Sequence, residues 1–170
     1  MLLLILLVWC TGDVKSAETE ATVKAAYLLN FAKVIEWPAG AFSPGQPLVI
    51  GVVGRDPIAD DLAKALNGAS ANGRKIEVRR VNGGDREGLL NCHIVFVPAS
   101  ERDENVVGAV QGQPVLLVGE AENFVRRGGA LGFVRDAGTL KFEANPKAAS
   151  RNGLSVSAKL LRVARSVINN

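Results

Sequence analysis

The chain is poor in the residues that most site chemistry needs. It has one histidine, His93, with two cysteines and a single tyrosine among 170 residues. A hydrolytic triad needs a base held between a nucleophile and a third group. His93 lies instead in the apolar run CHIVFV, with no GxSxG-type elbow beside it, so a structural or surface-facing role is expected. One histidine and one internal cysteine supply no metal-ligand cluster. Glycines follow strand-like runs, as in GVVGRDP, but neither GxGxxG spacing nor a lysine-bearing phosphate loop occurs. Nothing in these residues compels an enzyme, and no cofactor is expected. Charge of one sign is also scarce: 20 basic and 17 acidic residues leave +3, with the basic ones scattered apart from Arg79-Arg80 and Arg126-Arg127. Nucleic-acid surfaces are denser in basic residues with aromatics between them, which argues against nucleic acid as a partner. The acidic pairs Asp60-Asp61 and Glu120 with Glu122 fit helix starts and solvated faces.

No lysine or arginine precedes the opening run MLLLILLVWCTG. The run is too short to span a bilayer as a helix, and small residues follow it, as in the apolar region of an export signal. Trp9 stands where a lipoprotein signal carries a small residue, so Cys10 is assigned to the signal, with lipidation as the alternative. Cleavage after Gly12 or near Ser16 and Ala17 starts the mature chain between Asp13 and Glu18. The expected division is residues 1–17 as export signal and 18–170 as one domain, which places the protein in the periplasm. Cys92 is then the only cysteine, so no internal disulfide can form; it is buried filler or the donor of an intermolecular bridge.

What the chain does have is apolar residues, 48 % of the total, enough for a real core. The stretch VKAAYLLNFAKVIEWP, residues 23–38, stacks Tyr27, Phe31 and Ile35 on one helical stripe beside Leu28 and Ala32 and is stopped by Pro38. A second apolar side runs through Val23, Val34 and Trp37. Either a neighbouring element of the same domain covers it, or a partner or second copy does.

Residues 48–54 read as a strand buried on both faces. Asp56-Pro57 opens a helix through Leu66, and KIEVRRV follows as a strand near an edge. Gly83, Gly84 and Gly88 break the chain before CHIVFV. A helix over 101–111 and the strand PVLLVG complete an alternation typical of parallel βαβ units. Residues 130–135 and 139–144 form a hairpin through Asp136-Ala137-Gly138. Asn145-Pro146 caps a short helix ending at Asn152-Gly153, residues 154–156 are extended, and Ser157 caps a last helix through Ile168. The fold class is α/β: a single domain with a mixed, mostly parallel sheet flanked by helices and a C-terminal β-hairpin. Open sheets of this kind bind small molecules at the carboxyl ends of their strands, here near Gly54 and Pro98.

The opening helix, ANGRKIEVRRV, NCHIVFV and the closing RRGGALGFVRDAGTLKFEANPKAASRNGLSVSAKLLRVAR together resemble, in order, the YfiR family of exported bacterial proteins. The resemblance covers nearly all of the mature chain, and its specific parts are the NFAKxxEWP helix stop and the path from Gly128-Gly129 through FEAN to GLxxSxKLL. It implies an α/β periplasmic regulator that binds and represses the periplasmic part of an inner-membrane diguanylate cyclase. Cyclic-di-GMP and biofilm formation would fall until another envelope protein draws the regulator away. A sensor kinase is a second kind of membrane partner, and a homodimer a further association. The alternative is a periplasmic small-molecule-binding sensor. Carried onto this chain, the candidate partner-binding residues are Tyr27, Phe31 and Trp37 in the opening motif and Glu143, Asn145, Leu154 and Ser157 in the closing one, with Phe31 also suited to the core and Asn145 and Ser157 to caps. Two departures stand out: VGEAENF where the family reads more like TVSD, and the absence of the disulfide-forming cysteines of some relatives.

Overall fold

The structure is a computed structural model in which residues 13–170 are described, with side chains from Glu20 onward. Residues 1–12 of the expected export signal lie outside the described residues. No helix among the described residues is long and apolar enough to cross a membrane.

Helix α1 (Asp13–Val34) buries the stripe read from the sequence: Leu28, Phe31 and Ala32 are fully enclosed. It ends earlier than the pattern predicts. Ile35 and Glu36 leave the helix as strand β1 (Ile35–Glu36), and Pro38 holds the residue before it out of helical geometry. Asn72 donates its side-chain amide to the carbonyls of Ala32 and Lys33, satisfying groups that a helix end leaves unpaired.

The main sheet contains β2 (Leu48–Val53), β3 (Ser70–Ala71), β4 (Arg74–Val81), β5 (Ile94–Val97), β6 (Leu116–Gly119), β7 (Leu131–Asp136) and β8 (Thr139–Ala144), and it ends at β10 (Ser166–Val167). Its order is β10-β8-β7-β6-β5-β2-β4-β3, parallel from β4 through β7 and antiparallel at β3 and in the β7–β8 hairpin. A separate two-stranded sheet joins β1 to β9 (Ser155–Val156). The helices between are α2 (Ile58–Ala65), α3 (Arg86–Leu90), α4 (Glu104–Val110), α5 (Pro146–Arg151) and α6 (Ala158–Val163).

Strand β2 lies between β4 and β5, and all six of its residues are buried. Its side chains divide the core. Leu48, Ile50 and Val52 face α1 and α2, while Val49 and Val53 face the side covered by α3 and α4. The chain runs from β2 to β4 on one side and returns to β5 on the other, so the topological switch point is at β2 and β5.

Three further elements differ from the sequence pattern. The glycine-rich stretch before β5 contains α3: Asp85 accepts from the Gly88 N–H and Leu89 is fully buried. Helix α4 starts at Glu104, later than expected. The last helix stops at Val163, because Ala164 turns extended (φ −65°, ψ 143°) and β10 pairs with β8, Ser166 opposite Glu143. An open strand edge with unpaired N–H and C=O groups is the competing partner; Phe142 and Ala144 accept from Arg165 and Ile168 there. The hairpin turn follows expectation: Ala137 (φ 48°) and Gly138 (φ 78°) both take the left-handed conformation of the tightest hairpin loops.

Candidate functional site

The two sequence motifs at opposite ends of the domain touch each other. Ile35 pairs with Val156 and Glu36 with Ser155, and Leu154 joins the same core as Phe31. Phe31 packs with Phe133 and Phe142 at ring distances of 6.0 and 5.2 Å. Tyr27 adds a third contact to those rings and donates its hydroxyl to the Leu140 carbonyl at 3.1 Å. Asn145 is fully enclosed: its amide donates to the Val125 carbonyl and its oxygen accepts from Ala148 N–H. Ser157 accepts from Leu160 N–H as the cap of α6. Glu143 is half-buried and accepts from Arg165 and Ser166. Of the seven candidate residues, Phe31, Asn145 and Leu154 have almost no surface, whereas Tyr27, Trp37, Glu143 and Ser157 keep some.

The second apolar side of α1 is largely filled from within, since Val34 and Trp37 both pack against the main core, while Val23 stays exposed. Trp37 meets Phe42 edge-on at 5.7 Å, and Phe42 lies flat on the His93 ring at 4.2 Å and 8°. The Arg74 guanidinium covers the Phe42 ring at 4.4 Å. Trp37 Nε1 is buried without a hydrogen-bond partner among the described residues. His93 is buried, and its Nδ1 accepts from the Val49 N–H at 3.1 Å. Desolvation holds its pKa below the ordinary value. A ring committed in this way as an acceptor to the backbone is positioned for structure.

The switch-point crevice expected near Gly54 and Pro98 is occupied by the protein itself. The Glu101 carboxylate lies over Gly54 so closely that an added Cβ there would stand 1.9 Å from Oε1. It accepts from Arg55 N–H, and Ser100 donates to Asp56 at 2.6 Å. The open space lies further along the same sheet edge, in a groove of about 640 Å³ formed by Ala99 after β5, Glu120 to Asn123 after β6, the β7–β8 hairpin and the start of α1. Phe133, Val134 and Leu140 give it apolar surface, and Glu20, Lys24, Glu120, Arg135, Glu143 and Arg165 carry charge at its walls.

Lys24 anchors that groove. Its side chain is 7 % exposed and ion-paired with Glu20 at 2.7 Å and with Glu120, while Glu20 also pairs with Arg135 and Glu120 accepts from the Ala99 N–H. Bonding to Lys24, against a smaller opposing effect of burial, holds the Glu20 carboxyl below its usual range. Glu20 and Lys24 are spaced i, i+4 on one helix, a local pairing that reads as a solvated salt bridge, whereas Glu120 and Arg135 are distant in sequence and join them only in the folded sheet. Cys92 is buried with its thiol pKa pushed up by desolvation, so it is a poorly reactive thiol in this state.

A family profile described as YfiR/HmsC-like matches residues 21–165. Among solved structures, the ABC domain from Streptococcus pneumonia in complex with L-Trp is similar at TM-score 0.59 and 17 % identity, over 85 % of this chain and 60 % of that one. A conserved domain protein from Vibrio cholerae O1 biovar eltor is similar at TM-score 0.54 and 14 % identity, over 71 % and 55 %. This chain therefore spans little more than half the length of either, and at such identities the likeness is one of fold.

Proposed function

The chain belongs to the YfiR/HmsC-like family, and from that premise we propose that it is a non-enzymatic periplasmic regulator that binds the periplasmic part of an inner-membrane diguanylate cyclase and holds it inactive. The observation that carries this reading is the match across residues 21–165, which includes both the WP helix stop and the closing FEAN–GLxxSxKLL segment. The export signal over residues 1–17 belongs to the same reading. Partner contact is assigned to the candidates that keep surface: Tyr27, Trp37, Glu143 and Ser157.

Deleting the gene in a strain that expresses the protein should raise cyclic-di-GMP and biofilm mass, and complementation should lower both. Unchanged cyclic-di-GMP counts against the reading. Affinity capture from solubilised membranes should return an inner-membrane protein with a cytoplasmic cyclase domain; a sensor kinase would keep the class and change the partner. A homodimer is tested by sedimentation of the purified protein.

One observation favours a second reading, a sensor of a small molecule: the groove at the strand ends has the volume of a ligand site, with an apolar patch between charges of both signs. The similar solved domain from Streptococcus pneumonia holds L-Trp. A thermal-shift series with L-Trp and other amino acids tests this, and a flat response across the series removes its support.

A further inference from the structure

Asparagine followed by glycine occurs four times in the chain, at Asn67-Gly68, Asn72-Gly73, Asn82-Gly83 and Asn152-Gly153. The dipeptide is a turn signal. It is also the pair most prone to losing the side-chain amide, because a glycine without Cβ leaves its nitrogen open to approach the preceding side chain. Sequence alone does not rank the four. Backbone turns do not rank them either, since one spans each pair: Ala69 N–H to Leu66, the Ala71–Arg74 ladder pair, Asp85 N–H to Asn82, and Leu154 N–H to Ala149.

The side chains do rank them. The Asn72 amide donates to the carbonyls of Ala32 and Lys33 at the end of α1. Asn82 Oδ1 accepts from Gly84 N–H at 2.9 Å. Asn152 is held at both ends, its oxygen by Gly112 N–H at 2.8 Å and its amide by the Val115 carbonyl at 2.9 Å, and Gly153 N–H is itself bonded to Ser150. Asn67 has no such hold: among the described residues neither its side chain nor Gly68 N–H makes a hydrogen bond. Both residues are exposed, and a Cβ on Gly68 would meet nothing within 4 Å.

We propose that Asn67 is a site of spontaneous modification, the position at which the folded protein first loses an amide. The Gly68 nitrogen gives up its proton and bonds to Asn67 Cγ. The Cγ–Nδ2 bond breaks, and the side-chain nitrogen leaves as ammonia with that proton, closing a succinimide. Water then opens the ring at either carbonyl, so Asn67 becomes aspartate or isoaspartate. No electron is transferred, and water is the only co-reactant. The product places a carboxylate just past the C-terminus of α2, the end of a helix dipole that disfavours negative charge. Isoaspartate also adds one main-chain carbon to the turn between α2 and β3. The inference stands independently of the regulator reading.

The test incubates the purified protein at mildly alkaline pH, in native buffer and in parallel in concentrated guanidinium. Peptide mapping by mass spectrometry follows each pair, with fragmentation to separate Asn67 from Asn72. In native buffer Asn67 is expected to convert ahead of the other three by about fivefold, the factor by which one retained side-chain hydrogen bond of about 1 kcal/mol suppresses the reactive conformer. In guanidinium the four should convert at comparable rates, because the bonds that distinguish them are gone. Asn67→Ser should abolish the early conversion in native buffer and leave the rates at Asn72, Asn82 and Asn152 unchanged. The proposal is overturned if any of those three converts as fast as Asn67 in the folded protein, or if Asn67 resists there while converting in guanidinium. It is equally overturned if Asn67 leads by the same factor in guanidinium, which would make the ranking a property of sequence.

Discussion

At the scale of single residues, the polar side chains with the least surface carry the largest expected costs. Asn145 uses its oxygen to cap α5 and its amide to satisfy the Val125 carbonyl inside the fold. Asn145→Ala removes the cap and leaves a buried carbonyl unpaired, so urea unfolding should show a loss of about 2–3 kcal/mol. Asn145→Asp should also destabilise, since it keeps the acceptor but loses the donor. Lys24→Met keeps much of the apolar stem and removes the charge between Glu20 and Glu120. Its cost should be about 2 kcal/mol, below that of a fully buried pair because Glu20 is about a third exposed. Asn145 was legible in the sequence because an Asn-Pro cap acts on a backbone group three residues away. Lys24 was not, because Glu120 reaches it only after the whole sheet is assembled.

At the scale of elements, Phe124 connects the 3-10 helix Phe124–Arg127 to β6 and the strand start at β7. Its ring fills the space above two glycines: a Cβ on Gly129 would stand 2.1 Å from the ring and one on Gly119 2.5 Å. Gly129→Ala should therefore cost about 1–3 kcal/mol by overpacking, and Phe124→Leu in the same chain should recover part of the loss in a double-mutant cycle of thermal unfolding. Simple additivity would mean that the ring does not meet the new methyl group. The same scale shows why some elements were readable. The β7–β8 hairpin announces itself through Asp-Ala-Gly between two alternating runs. Helix α3 hides behind Gly83, Gly84 and Gly88, whose low helix propensity is overridden by the Asp85 cap and the burial of Leu89. The last helix looked longer because residues 164–168 suit a helix locally, whereas the unpaired edge of β8 draws them into a strand.

At the scale of the molecule, the Glu20–Arg135 pair ties α1 to the hairpin, and the ion pairs around Glu20 and Asp136 shape the acid response. Lys24 and Arg135 lower the Glu20 carboxyl from its ordinary 4.5, and Lys141 and Arg165 lower Asp136 from 3.8. Carboxyls that bind protons less readily when folded contribute stability that is complete above those ordinary values and is lost as pH falls through the lowered ones. For His93, also lowered in the fold, the stability lost on acidification begins higher, as pH falls through 6.5. Urea midpoints should thus decline in two stages, and Glu20→Gln should blunt only the lower one. By itself the sequence determined what local chemistry encodes: strand and helix types, caps, the hairpin, and the α/β class that alternation of elements requires. Tertiary structure alone decided that β1 and β9 pair, that Glu101 occupies the switch-point crevice, and that Lys24 and Glu120 share the wall of an open groove. The reason is physical. A side chain acts on backbone within a few residues whatever the fold, whereas contacts between distant segments exist only once parallel crossovers and core packing have placed them side by side.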